Sequence, residues 1–160
     1  MIMRIVEICS SPVFVAYPDQ ALAVAAREMR AHEVGALVVV AAGDRRQCPL
    51  GILTDRDIIR GQVNQSADLH CLAVRDVMTR YPLCIGADVE LSEAIAMLAS
   101  RGVRRAPVID DEGALVGIVT LDDLLPAIAE ELRELADIAA PEPRRRAWRA
   151  PETLAGAARV

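Results

Sequence analysis

Apolar residues with helical spacing occur twice along the chain, in two sets that match at an offset of 69 residues. The two sets are Leu22, Ala25, Ala26 and Met29, and Leu91, Ala94, Ile95 and Leu98. Each set follows the i, i+3, i+4, i+7 spacing of a helix with one apolar face. The pattern therefore predicts two amphipathic helices at equivalent places in two similar halves.

Short apolar runs typical of strands surround both predicted helices. These runs lie at residues 12–15, 34–40, 82–85 and 103–109. A third run begins at Gly51 in the first half and at Gly117 in the second, and each leads into a further helix. Each half is thus predicted as β-α-β-β-α, and the fold class as mixed α+β with tandem repeats.

A polar, aperiodic stretch separates the two halves. We assign residues 1–62 to the first repeat, 63–73 to a linker and 74–140 to the second repeat. A unit of about 60 residues buries too little apolar surface to be stable alone, so the two repeats should pack against each other. The last helix is predicted to extend well past Pro126. Because proline interrupts helical hydrogen bonding, we expect a kink or a restart there.

Composition and charge narrow the classes of partner. Of the 160 residues 53% are hydrophobic and 2% aromatic, so any bound ring is expected to meet aliphatic walls. The formal net charge is −5, and the acidic body argues against nucleic-acid binding, which needs a basic face. Residues 141–160 are Arg-rich, and this tail is expected to be flexible or to engage a partner through its arginines and Trp148.

The sequence also predicts the compartment. No apolar targeting segment follows Met1, and the longest apolar stretch, residues 34–42, is far too short to span a bilayer. The four cysteines lie far apart without a C-x-x-C pair, so we expect small buried thiols rather than metal ligands or disulfides. We therefore predict a cytoplasmic protein without a membrane or metal partner.

The repeated pattern resembles a known family. The runs at 34–40 (VGALVVV) and 103–109 (VRRAPVI) are each followed by a turn and then by GILTDRD at 51–57 or GIVTLDD at 117–123. Together they resemble the cystathionine β-synthase (CBS) domain, and the two copies resemble a CBS pair, or Bateman module, over roughly residues 6–126. The resemblance implies two βαββα repeats with pseudo-twofold symmetry, dimerisation through helices, and regulation by adenosine-containing ligands.

An adenosine ligand of this kind offers a ribose diol, phosphates and an adenine ring. Asp57 and Asp123 are the candidates for the ribose, because one carboxylate can accept both hydroxyls of a cis-diol. Thr54 and Thr120 place a hydroxyl beside the N–H groups of a helix start, which favours an anion. The Thr-x-x-Asp spacing is equally that of a capping box, and the capping and binding roles are compatible.

The two candidate sites differ in charge. The second repeat has Arg104 and Arg105 where the first has Gly35 and Ala36. The family resemblance implies that a basic residue here holds phosphate, and Arg105 is the expected main phosphate ligand, the alternative being a surface arginine on an edge strand. The site at Gly35 is expected to take a nucleoside or a less charged ligand.

Further residues are expected around these sites. The adenine ring should lie near Val34, Gly35 and Val103, and Thr79 should border a cleft. Arg56 is expected to assist at the Gly35 site, whereas Asp122 counts against a triphosphate in the second.

No catalytic signature is visible, since the sequence offers no nucleophile with a base and no phosphate-binding glycine loop. We predict a stand-alone, non-enzymatic CBS pair, without an obligatory cofactor, that binds AMP, ADP or ATP between its repeats. A homodimer and an unidentified regulated protein are the expected partners. The alternatives are a structural dimerisation scaffold with empty clefts, and a sensor of S-adenosylmethionine or NAD(H).

Overall fold

The computed structural model describes residues 3–65 and 68–139, and each half follows the predicted β-α-β-β-α order. The first repeat contains β1 (Val15–Ala16), α1 (Leu22–Ala31), β2 (Ala36–Val40), β3 (Pro49–Thr54) and α2 (Asp55–Gln65), followed by α3 (Val74–Val77) and β4 (Thr79–Arg80). The second contains β5 (Ile85–Gly86), α4 (Leu91–Arg101), β6 (Arg105–Ile109), β7 (Leu115–Thr120) and α5 (Leu121–Ala139). The predicted mixed α+β class is confirmed, while the tail at 141–160 lies outside the described residues.

Two sheets lie at the centre of the molecule, with strand orders β1-β2-β3-β4 and β5-β6-β7. In each repeat the first strand runs parallel to the second, and the second runs antiparallel to the third. Leu22 of α1 and Leu91 of α4 carry the predicted apolar stripes into two separate cores. All five residues of β2 are buried, so this strand is covered on both faces of its sheet.

Each repeat receives part of its core from the segment that leads into the other repeat. Residues 3–10 lead into the first repeat, yet Ile5 is fully buried in the core of the second, and Ser10 bridges to β7. Residues 69–80 lead into the second repeat, yet Val74 is fully buried in the core of the first, and β4 pairs with β3. Because of these two lead-in segments, each core needs chain from both halves.

A glycine in each third strand makes room for a lead-in segment. A Cβ at Gly51 would lie 2.8 Å from Met78 Sδ and 3.0 Å from the Thr79 carbonyl oxygen. A Cβ at Gly117 would overlap Cys9 Sγ. Both positions therefore need glycine because another segment approaches closely.

Several element boundaries differ from the prediction. Strands β1 and β5 begin at Val15 and Ile85, three residues after the expected starts, which are prolines without an N–H for the sheet. Helix α2 runs to Gln65, through residues predicted as linker. A Cβ at Gly61 would overlap Val77, so glycine at this position allows α2 to pack on α3.

Helix α5 is one helix from Leu121 to Ala139, so of the two expectations at Pro126, a kink or a restart, the restart is wrong. Pro126, at the sixth position of the helix, has no backbone N–H and so cannot donate a hydrogen bond to the carbonyl oxygen of Asp122. Because Asp122 is exposed, water can satisfy that carbonyl.

Candidate functional site

A cavity of about 400 Å³, which we call the first cleft, lies between the start of α2 and the turn that precedes β6. Its walls are Ile52, Thr54, Asp55, Arg56, Asp57 and Arg60 from the first repeat, and Thr79 and Gly102 to Arg105 from beyond it. The cleft therefore lies between the repeats, and its volume is in the range of small-molecule sites.

Asp57 uses one carboxylate oxygen to cap α2. Its Oδ2 accepts hydrogen bonds from the Thr54 N–H at 2.9 Å and from the Thr54 hydroxyl at 2.7 Å. The Asp57 N–H donates to Thr54 Oγ1 at 3.2 Å, which completes the capping pair. Among the described residues no donor reaches Oδ1, so the half-buried Asp57 can cap the helix and still accept a hydrogen bond from a ligand.

Arginine dominates the charge of the first cleft, which four arginines line against two aspartates. These residues are Arg56, Arg60, Arg104, Arg105, Asp55 and Asp57. In residues 3–65 and 68–139, none of the four guanidinium groups lies within 4.0 Å of a carboxylate oxygen. Guanidinium groups without ion pairs, next to the N-terminus of α2, form a favourable place for an anion.

A second cavity of about 280 Å³, the second cleft, lies between the start of α5 and the segment that precedes β2. Its walls are Ser10, Pro12, Val13, Phe14, Val34, Gly35, Ala36, Arg105, Ile118, Thr120 and Asp122. The charged residues in this wall are Arg105 and Asp122, so the second cleft is much less positive than the first.

Asp123 differs from Asp57, although both belong to a Thr-x-x-Asp motif. Its Oδ2 accepts from the Thr120 N–H and from the Thr120 hydroxyl, both at 2.7 Å. Its Oδ1 accepts from the Ser10 hydroxyl at 3.0 Å. Both carboxylate oxygens thus have donors within the chain, and Asp123 does not line the second cleft.

The structure groups the expected site residues across the repeats rather than within them. Val103 and Arg104 of the second repeat meet Thr54 and Asp57 of the first. The reason is that the repeats pack with the helix start of one against the segment before the second strand of the other. The sequence instead predicts Arg104 in the site of the second repeat and Gly35 in the site of the first.

The same packing determines which cleft each of the other expected site residues lines. Thr79 does border the first cleft. Arg56, expected at the Gly35 site, lies instead in the first cleft. Val34, Gly35 and Asp122 lie in the second cleft together with Thr120, and Arg105 lines both clefts.

Sequence reasoning missed several residues of these walls, of which an aromatic and two charged residues matter most for binding. Phe14 lines the second cleft, so that wall contains an aromatic ring beside its aliphatic residues. Its ring stacks on His32 with centroids 3.9 Å apart. Arg60 lies one helical turn after Arg56, a spacing that could have revealed it. Asp55, in the first cleft, lies between the two motif residues without being part of the motif.

The cysteines are not the buried thiols expected from the sequence, since Cys71 is exposed and Cys9, Cys48 and Cys84 are half-buried. Burial raises the pKa of the Cys9 and Cys84 thiols, which favours the neutral thiol over the nucleophilic thiolate. In the part of the chain that the structure describes, no three His, Cys, Asp or Glu side chains come together as metal ligands. Among the described helices, none is long and apolar enough to cross a bilayer.

Two βαββα repeats with a cleft on each side of their interface define the class of protein. The family model for the CBS domain matches residues 5–64 and 74–130, and the chain belongs to this family. An uncharacterized protein of Methanopyrus kandleri is 34% identical over 119 residues, which cover 74% of this chain and 59% of that protein.

Solved structures of CBS pairs share the fold. The CBS pair of protein MJ0100, in complex with 5-methylthioadenosine and S-adenosyl-L-methionine, gives a TM-score of 0.70 at 24% identity and covers 82% of this chain and 99% of that one. CBSX2 in complex with AMP gives a TM-score of 0.68 at 24% identity and covers 81% and 98%. At this identity the likeness establishes the fold, and the ligands are those of the two neighbours.

Proposed function

We propose that the first cleft binds an adenine nucleotide, AMP, ADP or ATP, and that the protein is a non-enzymatic regulatory sensor of it. One observation carries the proposal. Within residues 3–65 and 68–139, no donor reaches Asp57 Oδ1, and the four arginines that line the same cavity have no carboxylate partner. This arrangement supplies an acceptor for hydroxyls and donors for phosphate in one place.

Each part of the nucleotide has a complementary group. The ribose diol donates to Oδ1 of Asp57, a charge-assisted hydrogen bond. The phosphates accept from the guanidinium groups and from the N-terminus of α2, where the helix dipole favours negative charge. The adenine ring packs on Ile52 and Val103, the apolar residues of the wall.

The fold neighbours support this choice of ligand class, since MJ0100 and CBSX2 hold adenosine compounds on the same fold. A sensor acts only through a difference in ligand affinity between two states of the protein. The homodimer, the regulated partner, the cytoplasmic location and the repeat boundaries predicted from the sequence remain part of the proposal.

Calorimetric titration of the whole chain with AMP tests the proposal through Asp57→Asn. Asparagine keeps an oxygen for the Thr54 cap but replaces the free acceptor by an amide donor. We expect AMP affinity to fall about 10-fold to 100-fold, since hydrogen bonds to charged groups contribute about 1.5–3 kcal/mol. GMP and adenosine serve as comparison ligands for the ring and the phosphate.

Asp123→Asn is the matched control, because it makes the same change at the equivalent position, where the chain already occupies both oxygens. AMP affinity in this variant should stay within about twofold of the wild type. An equal loss in both variants, or no AMP binding to the wild type, would contradict the proposal. Titrations with S-adenosylmethionine and NADH decide between the adenosine ligands.

A dimerisation scaffold is the second candidate function, and the exposed face of α5 favours it. Leu125, Leu132, Leu135 and Ile138 are 55%, 60%, 61% and 81% exposed. Their spacing places them along one side of the helix. A protein that binds none of the adenosine ligands and sediments as a dimer would be a scaffold of this kind.

A further inference from the structure

Arg105 is the charged residue that the two clefts have in common. It begins β6, in the second repeat, and is half-buried. Its Nη1 lies 3.6 Å from the place that a Cβ would occupy at Gly35, so the side chain reaches across to the first repeat.

Each of the two clefts that Arg105 lines also contains an aspartate, but no carboxylate pairs with this guanidinium within 4.0 Å in the described part of the chain. Asp55 Oδ2 lies 3.8 Å from the same point at Gly35 and lines the first cleft. Asp122 lines the second. Arg105 is thus close to both clefts without an ion pair that fixes it in either.

The two clefts depend on Arg105 to different degrees. The first cleft has three more arginines, at positions 56, 60 and 104. In the wall of the second cleft Arg105 is the one cation among the described residues, opposite Asp122. A single guanidinium cannot neutralise anions in both clefts at once.

We propose that Arg105 determines the specificity of both clefts. A nucleotide in the first cleft draws the guanidinium toward its phosphate and leaves the second cleft with the Asp122 charge alone. The second cleft then rejects an anionic adenosine compound and takes an uncharged one, such as adenosine itself. This inference rests on the proposed nucleotide site in the first cleft.

Amide NMR titrations with AMP test the coupling, because Gly102 lines the first cleft alone and Val13 lines the second cleft alone. In Asp57→Asn, where AMP binding to the first cleft is weakened, the AMP midpoint at the Val13 amide should fall at least fivefold below its wild-type value, within the usual range of coupling between sites. In the wild type saturated with AMP at Gly102, adenosine should shift the Val13 amide at concentrations that leave the Gly102 amide unchanged.

Two further variants complete the cycle in the Asp57→Asn background. Adding Arg105→Gln should abolish the gain in AMP affinity at Val13, while adding Arg104→Gln, which alters the first cleft alone, should preserve it. Equal AMP midpoints at Val13 in the wild type and Asp57→Asn, with a wild-type Gly102 amide that responds to AMP, would overturn this inference and leave the proposed function standing. A wild-type Gly102 amide that does not shift with AMP would overturn both. Dispersed amide spectra confirm that each variant is folded.

Discussion

Single residues decide how closely the two repeats approach each other. Gly51 and Gly117 occupy equivalent positions in the third strands, and each faces a side chain of a lead-in segment, Met78 or Cys9. At Gly51 the carbonyl oxygen of Thr79 would also lie only 3.0 Å from the added Cβ, and backbone cannot move aside as a flexible side chain can. The contact is therefore intolerant of one added methyl group.

Gly51→Ala should destabilise the protein by about 1–3 kcal/mol, the usual cost of overpacking. The new Cβ would lie 3.0 Å from the Thr79 carbonyl oxygen, so β4 must shift away from β3. Urea denaturation measures the change in the free energy of unfolding. Gly86→Ala is the matched control, since its Cβ would lie 3.4 Å from Val89 at a normal backbone conformation, and it should be neutral or slightly stabilising. Equal stability of the two variants would contradict this account.

Asp57 and Asp123 show what sequence alone reveals about single residues. The Thr-x-x-Asp spacing suffices to predict both caps, because capping is local to four residues. Whether the second oxygen is free depends on Ser10, which is 113 residues away from Asp123 in sequence. No local pattern contains that information.

Helices and strands follow from periodicity where one face of the element is buried. The stripes at Leu22 and Leu91 predict α1 and α4 because each helix covers one side of a sheet. The element ends are less predictable, since they depend on packing. The linker was predicted to begin at residue 63, whereas α2 continues to Gln65, and Gly61 permits α3 to lie against it.

The start of α2 supplies a prediction at the scale of the element. Thr54→Val removes the hydroxyl that exchanges hydrogen bonds with Asp57, so the free energy of unfolding should fall by about 0.5–2 kcal/mol. Thr54→Ser keeps the hydroxyl and should retain most of the stability. Thermal unfolding followed by circular dichroism compares the three proteins. A serine variant as unstable as the valine variant would mean that the cap contributes little.

The arrangement of the whole molecule is the part least visible in the sequence. The repeat itself predicts two similar units that pack together, and that prediction is correct. Residues 3–10 contain several apolar residues without a clear helical or strand periodicity. The sequence therefore does not reveal that Ile5 packs in the second core. The same packing brings the helix start of one repeat against the other repeat. Each cleft therefore contains residues of both repeats, whereas the sequence predicted one site for each repeat.

Ile5→Ala tests the contribution of the first lead-in segment. Ile5 is fully buried, and a cavity there should cost about 2–5 kcal/mol. Hydrogen exchange should then speed up in β7, a strand more than 100 residues distant in sequence. Its neighbour Val6 is 48% exposed, so Val6→Ala should change the free energy of unfolding by about 0.5 kcal/mol or less. Faster exchange confined to the first repeat would be inconsistent with this packing.

The lead-in segments have a consequence for a chain that has been cut. If a protease opened the backbone between residues 65 and 68, each fragment would still hold a portion of the other's interior, Ile5 in one direction and Val74 in the other. The two fragments would remain bound to each other until one of them unfolded. The two fragments should therefore stay associated without a peptide bond between them, because each contributes side chains to the hydrophobic core of the other.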